Sequence, residues 1–173
     1  MIQTLETILI LNLDSPLADR ICKNYCSNFN IIGISNEEID GFDNITHVVG
    51  DLINDTEEVL SDIIEYATID RRCTIEYVLN NTFNDVVNAS LDITDTHKYF
   101  EDNVFRQLKI LDYLNKNLWS TISREENLKY NRSVINLHPH QKNTNTSSVY
   151  DSAKSSFLKL STSMLDDIYT NHG

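Results

Sequence analysis

The sequence predicts an α/β fold: a three-layer arrangement, with a parallel sheet of about five strands carrying helices on both faces. Two observations predict it. Short, continuous apolar runs rich in branched residues recur along the chain, as strands covered on both faces require. Segments with apolar residues at helical spacing alternate with them. The length of 173 residues, 40% hydrophobic and 23% charged, suffices for one core. No repeat or linker divides it, so residues 1–173 read as a single domain.

Thr7 to Leu11 is the first strand. Asp14-Ser15-Pro16 starts a helix, with Ser15 as N-cap and Pro16 at the first helical position. Leu17, Ile21, Cys22 and Tyr25 supply its apolar stripe. Phe29 to Ile34 and Ile45 to Val49 are the second and third strands. Asp55 caps the next helix, with Glu58 in capping-box position, and Val59, Leu60, Ile63, Ile64 and Ala67 form its buried side. Ile75 to Leu79 is the fourth strand and runs into Asn80-Asn81. After a polar connection, Phe100, Val104, Leu108, Leu111, Leu114 and Leu118 mark a long helix. Ser133 to Leu137 is the fifth strand. The polar stretch 138–148 reads as loop. A last helix runs to about Thr170 with Val149, Ala153, Phe157, Leu160, Met164, Leu165 and Ile168 on one face.

The net charge is −12. Phosphate backbones and anionic lipid need clustered Lys and Arg, so neither nucleic acid nor a membrane surface is an expected partner. No run is long enough to span a membrane, and the first residues carry no signal-peptide pattern. Cys22, Cys26 and Cys73 lack ligand spacing for a metal and read as buried free thiols in a reducing cytoplasm.

The chemistry-bearing spacing is Tyr150-x-x-x-Lys154. Residues four apart stack one turn above each other on a helix. An ammonium beside a phenol favours the phenolate, which makes a proton donor and acceptor near neutral pH. The bland alternative is a surface Tyr and Lys at helical spacing.

With that helix placed after the fifth strand, the chain resembles the short-chain dehydrogenase/reductase family over nearly all of residues 5–173. Tyr150 and Lys154 stand where the family has its active-site pair. Gly50-Asp51-Leu52 is similar to its Asp-hydrophobic step at the adenine ring. Leu79-Asn80-Asn81-Thr82 is similar to its Asn-Asn-Ala-Gly turn. Asn103 falls where the family anchors a proton-relay water, and Val134 to Leu137 resembles the strand that delivers its serine. The resemblance implies a Rossmann-like sheet and hydride transfer between NAD or NADP and a small carbonyl or alcohol. Tyr150 would pass the proton, Lys154 would lower its pKa and hold the nicotinamide ribose, and Asn103 would link the site to solvent. Asn12, Ser15, Leu17, Asp51, Leu52 and Asn80 would contact the cofactor. It also implies a homodimer through the Asn103 and Tyr150 helices, with Phe105, Leu108, Tyr113 and Phe157 as surface.

The departures lie at the cofactor. The glycine positions of the turn after the first strand read Asn12, Pro16 and Ala18. Pro16 removes an N–H from a helix start that should donate to pyrophosphate. Asp14 and Asp19 set negative charge beside it, against at most about 1–2 kcal/mol from the helix dipole. Ser35-Asn36 replaces the acid that would hold the ribose, and Phe83 replaces the glycine that lets the cofactor pass. His138 and Pro139 stand where the serine belongs. The chain stops at Gly173, where the family continues into further strands. The alternative to an oxidoreductase is therefore a degenerate, non-catalytic relative: a pseudoenzyme, partner subunit or binding module. A third reading, an acid–base site on Tyr150 and His138, has no positive support.

Overall fold

A computed structural model describes residues 5–42, 44–70, 74–83, 93–130, 132–137 and 148–172. Five strands form one sheet in the order β3-β2-β1-β4-β5. They are β1 (Thr7–Ile10), β2 (Asn30–Ser35), β3 (Thr46–Val49), β4 (Ile75–Asn80) and β5 (Ser133–Asn136), and every pairing is parallel. This is an α/β, Rossmann-like architecture, a parallel sheet flanked by helices. Strand order reverses between β1 and β4, which sets a switch point at their carboxyl ends.

The chain divides into two compact units. Met1–Asn81 with Lys129–Asn136 holds the sheet, α1 (Pro16–Tyr25) and α2 (Thr56–Glu65). Ser15 caps α1 by accepting from the Ala18 N–H, and Pro16 opens the helix as the sequence suggests. The buried stripe of α1 is Ala18 and Cys22, however. Leu17 and Tyr25 are 43% and 48% exposed, one stripe round from the expected one. The bulkier Leu17, Ile21 and Tyr25 recur every four residues along the helix, beside the buried Ala18 and Cys22.

Asp55 occupies the N-cap of α2 without a side-chain bond. The expected capping box is not formed, and Asp51 closes the turn that precedes the helix. Its carboxylate accepts from the Ile53 and Asn54 N–H groups at 2.8 and 3.1 Å, and Thr56 Oγ1 donates to the Leu52 carbonyl. Val59, Leu60, Ile63 and Ala67 are buried as expected. At the amino end of the sheet, buried Glu76 accepts from the Thr7 N–H at 2.6 Å and from the Thr74 hydroxyl. Burial pulls the Arg132 guanidinium below its usual range while Glu76 opposes that fall.

The second unit is Thr82–Leu128 with Leu137–Gly173. It contains α3 (Ile93–Phe100), a π-helical turn over Glu101–Phe105, α4 (Arg106–Asn117), α5 (Arg124–Asn127) and α6 (Ser148–His172). The π-turn inserts an extra residue and shifts the helical phase. Gln107, Ile110, Leu111 and Leu114 are the buried residues of α4, while Leu108 is only partly buried. Of the stripe expected from the sequence, Val104, Leu111, Leu114 and Leu118 are buried, whereas Phe100 and Leu108 are only partly so and Gln107 and Ile110 were not expected. On α6, Ala153 and Phe157 are buried, Val149 packs partly buried against the same cluster and Tyr150 joins it, but Leu160 is 46% exposed. Asn127, 1% exposed, donates its amide to the carbonyls of Trp119 and His172 at 2.8 and 3.0 Å, and so ties the end of α6 to the α4–α5 connection.

Candidate functional site

The first unit carries the residues expected at a nucleotide. Asn12 leaves β1 at the switch point and Asn81 follows β4. The Asn12 N–H donates to Asn81 Oδ1 at 3.0 Å, and Asn81 Nδ2 donates back to the Asn12 carbonyl at 2.6 Å. The second Nδ2 hydrogen reaches Ser15 Oγ at 2.8 Å. That oxygen also accepts from the Ala18 N–H at 3.2 Å and donates to the Asn12 carbonyl. The Asp14 N–H donates to Asn12 Oδ1, and the Leu13 N–H donates to the Ile34 carbonyl at 2.8 Å. The N–H groups of residues 12, 13, 14 and 18 are thus directed to acceptors inside the unit, and Pro16 has none. A phosphate would have to displace those acceptors, and each buried polar group left unpaired costs about 1–3 kcal/mol.

Leu13, 2% exposed, is a residue that sequence reasoning missed. A Cβ placed on Gly33 would collide with the Leu13 side chain. The leucine therefore fills the ground over β2 that Gly33 leaves open. The available signal was Gly33 itself, since a glycine inside an apolar strand marks a close approach.

The other expected cofactor contacts are distributed as follows. Ser35 is 3% exposed at the end of β2; its hydroxyl donates to the Glu37 carbonyl and is in hydrogen-bond contact with His47 Nε2. Asp51 is engaged in the turn before α2, and Leu52 is 6% exposed, within the core. Asn80 is buried and donates to Asn136 Oδ1 at 3.0 Å. Leu17 faces solvent.

The second unit carries Tyr150, Lys154 and Asn103. Tyr150 is 3% exposed and belongs to a cluster with Phe83, Tyr99, Val104, Ala153 and Phe157. Its ring stands edge-on to Phe83 at 5.7 Å between centroids, and Phe83 in turn is edge-on to Tyr99 at 6.3 Å. Phe83, the residue at a family glycine position, is packed against the tyrosine. Lys154 Nζ lies over the Tyr150 ring, 6.0 Å from its centroid. The two residues do sit one turn apart on α6, as the spacing requires. Asn103, 1% exposed, lies in the π-turn and donates to the Tyr99 carbonyl at 3.0 Å. His138, Pro139, His140 and Ser147 lie outside the described residues, as does Cys73. Among the described residues no group of three or more His, Cys, Asp or Glu could hold a metal ion. Nor is any helix there long and apolar enough to cross a membrane.

No family model matches the chain, and no curated protein matches it in sequence. Solved structures do match. An aldohexose dehydrogenase of Thermoplasma acidophilum superposes with a TM-score of 0.70 at 13% identity, over 95% of this chain and 62% of that one. A short-chain dehydrogenase/reductase of Saccharomyces cerevisiae gives 0.68 at 18%, over 93% and 65%. A short-chain dehydrogenase of Leptospira borgpetersenii, solved with bound NAD+, gives 0.68 at 12%, over 93% and 65%. The chain spans less than two thirds of the length of these structures.

Proposed function

Because the chain has the short-chain dehydrogenase/reductase fold, we propose that it is a divergent relative of that family that keeps the sheet and no longer holds NAD or NADP. Its role is then that of a non-catalytic binding or partner module. One observation carries this reading: in the turn Asn12–Ala18 the N–H groups of Asn12, Leu13, Asp14 and Ala18 are directed to Asn81, Ile34, Asn12 and Ser15. Helix-start donors attract pyrophosphate only when they are available to it. Leu13 over Gly33 and the acids Asp14 and Asp19 act in the same direction. So does Phe83, whose ring contact with Tyr150 is worth about 0.5–1.5 kcal/mol beyond its burial.

The second reading is an NAD(P)-dependent oxidoreductase acting on a small carbonyl or alcohol. The Tyr150–Lys154 spacing and the π-turn at Asn103 favour it, since π-turns gather at functional sites. There Tyr150 would pass the proton, Lys154 would keep its phenol acidic and hold the ribose, and Asn103 would relay the proton. A two-fold pair through α4 and α6 would accompany it, with Phe105, 52% exposed, at the contact; Phe157 is fully buried and takes no part.

The test is turnover of NADH and NADPH with a panel of aldehydes and ketones, for the wild type and Tyr150→Phe. The non-catalytic reading expects equal background rates from both proteins. Turnover that falls about a hundredfold or more in Tyr150→Phe would establish the oxidoreductase instead.

A further inference from the structure

Strand β3 is an edge of the sheet, paired on one side only, with β2. The Gly50 N–H donates to the Ser35 carbonyl at 2.9 Å, which fixes the phase of that pairing. Successive residues of a strand turn their N–H and C=O groups to opposite sides, so Thr46 and Val48 bond inward to β2. The N–H and C=O groups of His47 and Val49 point outward, and Val49 is 53% exposed. Sheet edges are commonly blunted by a Lys, a Pro, a bulge or a charge set into the strand. The sequence Thr-His-Val-Val has no Lys, Pro or acid, and its register with β2 is unbroken. This edge lies well inside the chain. The connection from β2 enters it and the Asp51 turn leaves it, while β5, the strand closest in sequence to residue 173, is at the opposite edge.

Charge marks the same place. Eleven of the 26 acidic residues and none of the 14 Lys and Arg lie between Asn24 and Asp70. That leaves 15 acids against 14 bases elsewhere, so this segment carries nearly all of the net −12. Its acids flank the edge on both sides. Val59 of α2 closes on Gly50, and Thr46 Oγ1 donates to the hydroxyl of Tyr66, which follows α2, at 2.6 Å. The helix, with exposed Glu58 and Asp62, therefore lies toward the face of Thr46 and Val48. The His47 ring stands 6.4 Å from that of Phe42 between centroids. The β2–β3 connection, with exposed Glu37, Glu38 and Asp40, therefore lies toward the other face. A second copy of this chain would bring the same charge to the edge, and a nucleic acid is anionic as well.

We propose that β3 is the docking edge for an extended, Lys- and Arg-rich segment of a partner protein, which adds a sixth strand to the sheet. Its backbone pairs with the outward groups of His47 and Val49. Its successive side chains point to opposite faces, so basic residues at either parity meet carboxylates. The inference stands on the edge and the charge, and does not depend on whether a nucleotide binds.

The probe is a labelled synthetic Lys/Val peptide of alternating sequence and about ten residues, followed by fluorescence anisotropy against the full chain. The controls are the same peptide N-methylated at every residue and a Glu/Val peptide. N-methylation keeps the charge and removes the N–H donors, so it separates strand pairing from plain attraction. One bound Lys/Val peptide per chain is expected, with affinity rising as salt is lowered, and neither control should bind. Val49→Pro removes one outward N–H and leaves the bonds to β2, so it should weaken the affinity about tenfold. Glu38→Lys combined with Asp62→Lys, both exposed, should weaken it about tenfold too; circular dichroism checks the fold of each variant. Unchanged affinity in either folded variant, equal binding of the methylated peptide, or no binding of the Lys/Val peptide would each overturn the proposal. A dimer by light scattering that Val49→Pro splits would also overturn it, by making a second copy the occupant.

Discussion

The two regions that carry the expected site residues are filled by different physical means. At the carboxyl ends of β1 and β4 the filling is polar: Asn12, Ser15 and Asn81 bond to one another and to the backbone of the turn. Around Tyr150 it is apolar: three rings meet edge-to-face and Phe157 is fully buried beneath them. A glycine-rich turn offers its N–H groups to a ligand because it has no side chains to use them. The turn here has such side chains, and they take the N–H groups of Asn12, Asp14 and Ala18. In the Tyr150 cluster a phenol and an amine stand one helical turn apart, and the phenyl ring of Phe83 is edge-on to the phenol. The difference teaches that space can be closed by bonded polar groups in one region and by packed rings in another.

Tyr150→Ala should break the apolar region most severely. A buried aromatic in a cluster costs about 3–5 kcal/mol on truncation, read from urea unfolding. A loss below about 1 kcal/mol would mean that the ring lines an open pocket rather than a core. Asn81→Ala tests the polar region. It removes the acceptor of the Asn12 N–H and two donated bonds, so about 1–3 kcal/mol should be lost. The Asn12 amide should also exchange faster with deuterium, while amides around Tyr150 stay protected. Equal loss of protection in both regions would contradict the separation drawn between them.

Asp51→Ala should cost about 1 kcal/mol, the usual net value of hydrogen bonds that close a turn. A change confined to nucleotide affinity would instead restore Asp51 as an adenine contact. The smallest expected effect is on pH dependence. Burial, with Asp19 adding to it, pushes the Cys22 thiol up to about 11 from 9.0. The folded state then holds this proton more tightly than the unfolded one. Stability from this group is fully present below about pH 9 and declines as pH rises from there to about 11. Cys22→Ser should flatten the alkaline limb of a stability–pH curve.

Much of the fold was legible because apolar runs and caps act locally. Ser15 and Pro16 fix the start of α1 within their own residues, and the strands announce themselves by branched apolar runs. The π-turn at Glu101–Phe105 was not legible, because one inserted residue leaves no mark in a 3.6-residue pattern. Of the α1 stripe Cys22 was legible, but Leu17 and Tyr25 were misplaced and Ala18 was missed, because hydrophobicity ranks the larger residues first. At the turn after β1, the scarcity of glycine was visible in the sequence. The contacts of the turn were not: Leu13 meets Gly33, and Asn12 meets Asn81, only across long sequence separations.

The most direct measurement is calorimetric titration of NADH, and separately NADPH, into the protein, with melting temperature followed in parallel. A ligand at a hundred times its dissociation constant would stabilise the fold by about 2.7 kcal/mol. No saturable heat and no rise in melting temperature are expected up to millimolar nucleotide. Saturable binding of either nucleotide at micromolar concentration would contradict the closed turn at Asn12–Ala18 and the non-catalytic role that follows from it.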